Sequence, residues 1–139
     1  MKYLFFIGVL TLVFGSCEDK KTTYETDDEL IQDYLAKANI NATKHESGLY
    51  YIIEEEGNGA HPTYYDNIVV NYYGYYVDST SFDEGTSVDF PLSHLYKGWQ
   101  YGLPLFGQGG KGTLFLPRHL ANSQAVMIFD IELLNVWTP

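Results

Sequence analysis

Two kinds of side chain in this sequence could do chemistry, and one kind is poorly placed for it. The histidines, His45, His61, His94 and His119, are scattered, with no HExxH pair and no paired cysteines. His61 and Asp66 have no further ligands at coordinating spacing, so neither a metal nor a cofactor is expected. The aromatic residues are better placed. Trp99 follows Gly98 and opens a short apolar segment that runs to Leu103. Pro104 comes next, and the residue before a proline avoids the helical region, so a helix here should stop near Leu103. Strand-like runs lie upstream at 68–73 and downstream at 112–116 and 126–136. An indole at the start of one short helix, laid against an antiparallel sheet, can form the floor of an apolar pocket. The alternative is that Trp99 only packs in the core, as most aromatics do.

The elements that must position this indole read as follows. Residues 47–55 form a first strand, with Leu49, Tyr51 and Ile53 alternating with Tyr50, Ile52 and Glu54. Residues 67–77 form the central strand. Val70, Tyr72 and Gly74 share one of its faces and Val69, Asn71, Tyr73 and Tyr75 the other, so Tyr72 faces the core if Val70 does. Turns are expected at 57–59, 78–81 and 108–111, and Phe82-Asp83 follows the second of them. Residues 112–116 make a strand stopped by Pro117, 118–124 a short loop, and 127–137 a long closing strand. Ahead of all this, Thr26 or Asp27 caps a helix whose apolar face is Leu30, Ile31, Tyr34, Leu35 and Ala38, and Asn39 ends it. So short a helix is marginal alone; it should dock on the domain or, alternatively, on a second copy in a homodimer.

The 139 residues suggest one domain, and thirteen Tyr and eight Phe favour a β-rich fold. A net charge of −10 argues against nucleic acid as a partner, because phosphate binding needs a basic patch. Residues 1–16 read as a leader: Lys2 is followed by an apolar run over 3–14, too short to span a bilayer as a permanent helix. The run ends at Phe14-Gly15-Ser16-Cys17, which resembles a bacterial lipoprotein cleavage box with Phe in place of the commoner Leu. Lipidation of Cys17 would then anchor the chain to a membrane; an ordinary leader followed by a stray cysteine is the alternative. Glu18-Asp19 resembles the export signals of Bacteroidetes-type lipoproteins, or is simply part of a polar tether over 17–26. As the lone cysteine, Cys17 also excludes an internal disulfide.

In order, the chain reads Val69-Val70-Asn71-Tyr72-Tyr73-Gly74, Phe82-Asp83, Phe90-Pro91-Leu92, Gly98-Trp99, Gly109-Gly110-Lys111, Leu116-Pro117 and Ile128-Phe129-Asp130-Ile131-Glu132-Leu133-Leu134. This ordered set resembles the FKBP family of peptidyl-prolyl cis-trans isomerases over about residues 46–139. The resemblance implies an α+β fold: a strongly twisted antiparallel sheet wrapped around one short helix, with a proline pocket between them. Residues 27–45 become an extra N-terminal helix. It implies Tyr72, Phe82, Asp83 and Trp99 as catalytic residues, with the phenol lining the pocket, the Phe against the proline ring and the carboxylate beside the rotating amide. Val88, Leu95, Tyr96, Phe129 and Asn122 become substrate-binding residues. The implied partners are proline-containing segments of envelope proteins.

The chain departs from the family in three places. The link from Asp83 to Phe90 is short and lacks the Arg that often pairs with the Asp. Tyr96 stands where the family has Ile or Val, at a residue whose backbone amide bonds substrate. Pro117-Arg118-His119-Leu120-Ala121 matches the family's last loop, but Asn122 replaces its tyrosine and Asn122-Ser123-Gln124 runs straight into Ala125-Val126, with no flap. The expected function is therefore a slow prolyl isomerase of broad specificity in the cell envelope. The alternative is a peptide-binding or chaperone module of the same fold without significant catalysis.

Overall fold

A computed structural model describes residues 26–139; Cys17, the leader and all of the tether but Thr26 lie outside the described residues. The first element, helix α1 (Asp27–Ala38), begins where its sequence says it should. The Thr26 hydroxyl accepts from the Glu29 N–H at 3.2 Å and the Glu29 carboxylate accepts from the Thr26 N–H at 3.2 Å, so two otherwise orphaned donors are satisfied reciprocally. Asn39 closes the helix in the left-handed region at φ 54°. Ile31 and Leu35 are buried against Tyr50, Phe115, Val126 and Ile128, so the apolar stripe is covered by the chain's own sheet rather than left for a second copy. Ala38 departs from expectation: it stays exposed, in the last turn before the cap. Polar ties hold the N-terminal end of the helix. Asp28 accepts from the Tyr50 hydroxyl at 2.8 Å and pairs with Lys44 at 2.8 Å, and Asp27 takes both the main-chain N–H and the guanidinium of Arg118, each at 2.8 Å.

Strands β1 (Thr43–Lys44), β2 (Tyr50–Glu55), β3 (Asn67–Tyr75), β4 (Ser81–Pro91), β5 (Lys111–Leu116) and β6 (Met127–Trp137) form one antiparallel sheet in the order β1-β2-β5-β6-β3-β4. The strand expected to be central, β3, is thus next to the edge, and β5 and β6 occupy the middle. The sheet is covered on both faces near its centre. Leu114 and Leu116 of β5 point into the main core, while Phe115 between them points to α1. β4 carries an extra residue: Val70 pairs with Val88, but Tyr72 pairs with Gly85. Ser87 takes φ 52° there and its N–H is held by the Asn71 side chain at 2.8 Å. Such a bulge bends a strand and re-aims its side chains, and here it lies between Asp83 and Phe90.

The main core is closed by helix α2 (Lys97–Gly102). It ends one residue before the expected stop at Leu103. A 3-10 turn, Leu103–Leu105, then carries the chain past Pro104, which sits at the start of that turn, where a missing N–H leaves no bond unmade. Gly98 and Gly102 lie four residues apart and so on one side of the helix. A Cβ on Gly98 would meet Leu116 Cγ at 2.2 Å and one on Gly102 would meet Leu114 Cδ1 at 2.7 Å, so only glycine lets the helix lie this close on β5. The segment 118–124, expected as a loop, opens instead with one helical turn, α3 (Arg118–Ala121), because Leu120 and Ala121 reach the core from it.

Candidate active site

Where β3, β4 and β6 curl over the start of α2, the surface folds inward into a cleft of about 510 Å³. Its floor is Trp99, 2% exposed, with the Phe129 ring edge-on at 5.1 Å and the Tyr72 ring edge-on at 5.5 Å. The floor is fixed because Gly98 seats the helix on β5, and Tyr72 reaches it because β3 turns the Val70 face inward. Phe90 of β4, beyond the bulge, closes one side at 6.0 Å from Tyr72 and 6.4 Å from Trp99. Leu95 and Tyr96, at the entry to α2, form the opposite side, with Tyr96 lying over Phe129 at 5.8 Å. Asn122 borders the cleft from the left-handed cap of α3, and His94 and Lys97 complete the rim.

Four polar groups are set into this apolar wall. The Tyr72 hydroxyl donates to Asp83 Oδ2 at 3.0 Å, and Asp83 Oδ1 accepts from the Glu84 N–H at 2.9 Å. Burial first, and then the Asp83 carboxylate, push the Tyr72 phenol up to about 12, so it remains a neutral donor at any physiological pH. Burial also raises Tyr96, with Asp83 and Tyr76 adding to it. The Trp99 indole N–H is buried without an acceptor. Its surroundings are aromatic rings, whose faces are weak acceptors at best. The site therefore has a dry floor and a carboxylate at its mouth.

Of the residues expected from sequence, Tyr72, Asp83, Trp99, Leu95, Tyr96, Phe129 and Asn122 line this one cleft. Phe82 and Val88 do not. Phe82 stands behind the wall, edge-on to Phe129 at 5.4 Å and against Tyr76 at 4.8 Å, so it props Phe129. Val88 sits across the bulge, where it and Tyr72 both crowd Gly85. Sequence reasoning missed Phe90, His94 and Lys97 as lining residues. Phe90 had a signal, since it follows the expected Val88 at strand spacing; the two rim residues His94 and Lys97 flank Leu95-Tyr96 but carried none. A second hollow, of about 480 Å³, opens on the other face of the sheet. Glu84, Asp130 and Glu132 border it and no indole floors it, so it lacks the dry surface that distinguishes the cleft.

A curled antiparallel sheet that holds an aromatic-floored cleft over a short helix defines a fold class suited to taking a short apolar segment of another chain. The family described as FKBP-type peptidyl-prolyl cis-trans isomerase matches residues 59–134, and this chain belongs to that family. It is 33% identical over 135 residues to the probable FKBP-type peptidyl-prolyl cis-trans isomerase FkpA of Neisseria meningitidis, which covers 87% of this chain and 49% of that protein. It is 37% identical over 125 residues to FkpA of Aeromonas hydrophila, covering 78% of this chain and 46% of that one. The crystal structure of FkpA from Escherichia coli superposes with a TM-score of 0.72 at 31% identity, over 81% of this chain and 60% of that one. The chain thus spans about half the length of these curated relatives.

Proposed function

We propose that this chain is a peptidyl-prolyl cis-trans isomerase that assists the folding of envelope proteins, slowly and with broad specificity. The observation that carries this reading is the fixed Trp99 floor with the Tyr72–Asp83 pair beside it. Rotating an amide means losing its resonance, over a barrier of about 18–20 kcal/mol. The planar amide is the more polar form, so a dry aromatic cleft disfavours the ground state relative to the twisted state. A barrier lower by about 4 kcal/mol gives roughly a thousandfold acceleration. No nucleophile enters: Trp99 and Phe129 exclude water, Phe90 and Leu95 confine the proline ring, and Asp83 lies where the rotating amide turns. Membership of the family and the likeness to FkpA support the same conclusion.

The rate is low because the mouth is open. Three residues, Ser123, Gln124 and Ala125, join Asn122 to Val126, and no flap covers the ring or selects the residue before it. That openness also favours a second reading, a peptide-binding or chaperone module without significant catalysis. A protease-coupled assay on peptides with Leu, Phe, Ala or Glu before proline separates them. Isomerisation above the spontaneous rate, similar for all four, is expected; bound peptide with no acceleration would establish the second reading instead.

Residues 46–139 are the working domain of this proposal, residues 27–45 brace its sheet, and residues 17–26 tether it to a membrane through lipidated Cys17, at the outer membrane's periplasmic side or the cell surface. The apolar leader and the Gly15-Ser16-Cys17 box support that placement. Fatty-acid labelling of the wild type, absent from Cys17→Ser, is the expected result; equal labelling of both would remove the anchor from the proposal.

A further inference from the structure

We propose that the Tyr96 hydroxyl holds a main-chain carbonyl of the bound segment beside its proline ring. This rests on the isomerase reading of the cleft and names a group that fixes substrate within it.

A proline offers no N–H, so a segment held through its main chain beside the ring must be held largely by its carbonyls, and the protein must supply donors. Beyond the Tyr96 main-chain N–H, which the family resemblance already gives to substrate, the cleft has few side-chain donors that are both uncommitted and reachable. The Tyr72 hydroxyl is spent on Asp83 at 3.0 Å. The Trp99 N–H has no acceptor, but it is sealed under the rings and presents no surface that a carbonyl could touch. Asn122 is exposed on a turn and has no ring packed on it. His94 and Lys97 are exposed at the outer rim.

Tyr96 differs from each of these. It is 38% exposed, and among the described residues its hydroxyl has no hydrogen-bond partner. Its ring lies on Phe129 at 5.8 Å, and Phe129 is itself held edge-on by both Trp99 and Phe82, so the phenol has a fixed base. Tyr96 lines the same cleft as Asp83, and the Asp83 carboxylate and Tyr76 are near enough to oppose ionisation of its phenol. Because burial and that carboxylate both oppose ionisation, the group stays a donor across the working pH range. A braced phenol also loses little freedom when it bonds.

Tyr96→Phe in the full chain keeps the ring and deletes only the hydroxyl. The expected result is a KM for proline peptides raised about two- to thirteenfold, the range that a net hydrogen bond of about 0.5–1.5 kcal/mol gives. The kcat should stay within about twofold, since a bond kept throughout the rotation contributes equally to both states. The Kd of a labelled proline peptide should rise by the same factor. The thermal midpoint should not move, because the hydroxyl has no internal bond to lose. Unchanged KM and Kd in an otherwise active protein would overturn this inference and leave the isomerase reading standing. A wild type that binds peptide without turnover, and binds it less well as Tyr96→Phe, would support the inference and end the isomerase reading. A wild type that neither binds nor turns over proline peptides would overturn both.

Discussion

Trp99→Leu should remove most of the isomerase activity while leaving a folded protein. The indole lies beneath three other rings of the cleft, with Phe129 at 5.1 Å, Tyr72 at 5.5 Å and Phe90 at 6.4 Å. Leucine fills part of the volume, so the loss of stability stays under the roughly 3–5 kcal/mol that truncation of a buried Trp to alanine costs. Water, however, gains the space between those rings, and the advantage of the twisted amide depends on its exclusion. If half of an acceleration of about 4 kcal/mol disappears, the rate falls roughly thirtyfold. The check is kcat/KM on one proline peptide alongside a urea melt. A variant that keeps its rate would show that Trp99 serves the core alone. Phe82→Ala tests the same wall one layer back, through the ring that props Phe129.

Gly98→Val should be the most destabilising single change near the site. The new Cβ would fall 2.2 Å from Leu116 Cγ and 2.5 Å from its Cδ2, and Leu116 is fully buried with nowhere to turn. Overpacking of this kind typically costs about 1–3 kcal/mol and occasionally more; with a branched side chain against a filled core, about 3 kcal/mol or more is expected. Relief can come from lifting α2 off β5, which carries Trp99 with it, so activity should fall further than stability. The double variant with Leu116→Ala makes room for the valine. It should be less destabilised than the sum of the two single changes, by about 1 kcal/mol or more, because the sites share one contact. Strict additivity in urea midpoints would contradict the packing described.

Much of the fold could be read locally, and what could not was non-local. The helix start at Thr26 or Asp27, the closing strand 127–137 and the short helix at Trp99 are each written in adjacent residues, and the structure has all three, with Thr26 as the cap. The rank of β3 in the sheet was misread, because alternation says which face a residue takes but not which strands lie beside it. Strand β5 hides even its alternation, since both of its faces are covered. The helical turn of α3 comes from the burial of Leu120 and Ala121, which four residues of sequence do not announce. The same division runs through the site. The quoted motifs name Tyr72, Asp83, Trp99 and Phe129, which the fold brings to one cleft. Val88 and Phe90 look equivalent along the strand, and only the fold separates the one beside Gly85 from the one that meets Trp99 edge-on.

The position of β6 has a kinetic consequence. This last strand lies between β5 and β3, pairing with β5 over Met127–Glu132 and with β3 over Ile128–Trp137. Until residues 127–137 are available, the hairpin of β3 and β4 and the pair of β2 and β5 have no common partner, and two-stranded units are marginal in water. Phe129, a wall of the cleft, arrives with the same strand. A nascent chain therefore has no stable half-domain to form during synthesis, and contacts across sixty residues must close at once, which makes folding slow for a domain of this size.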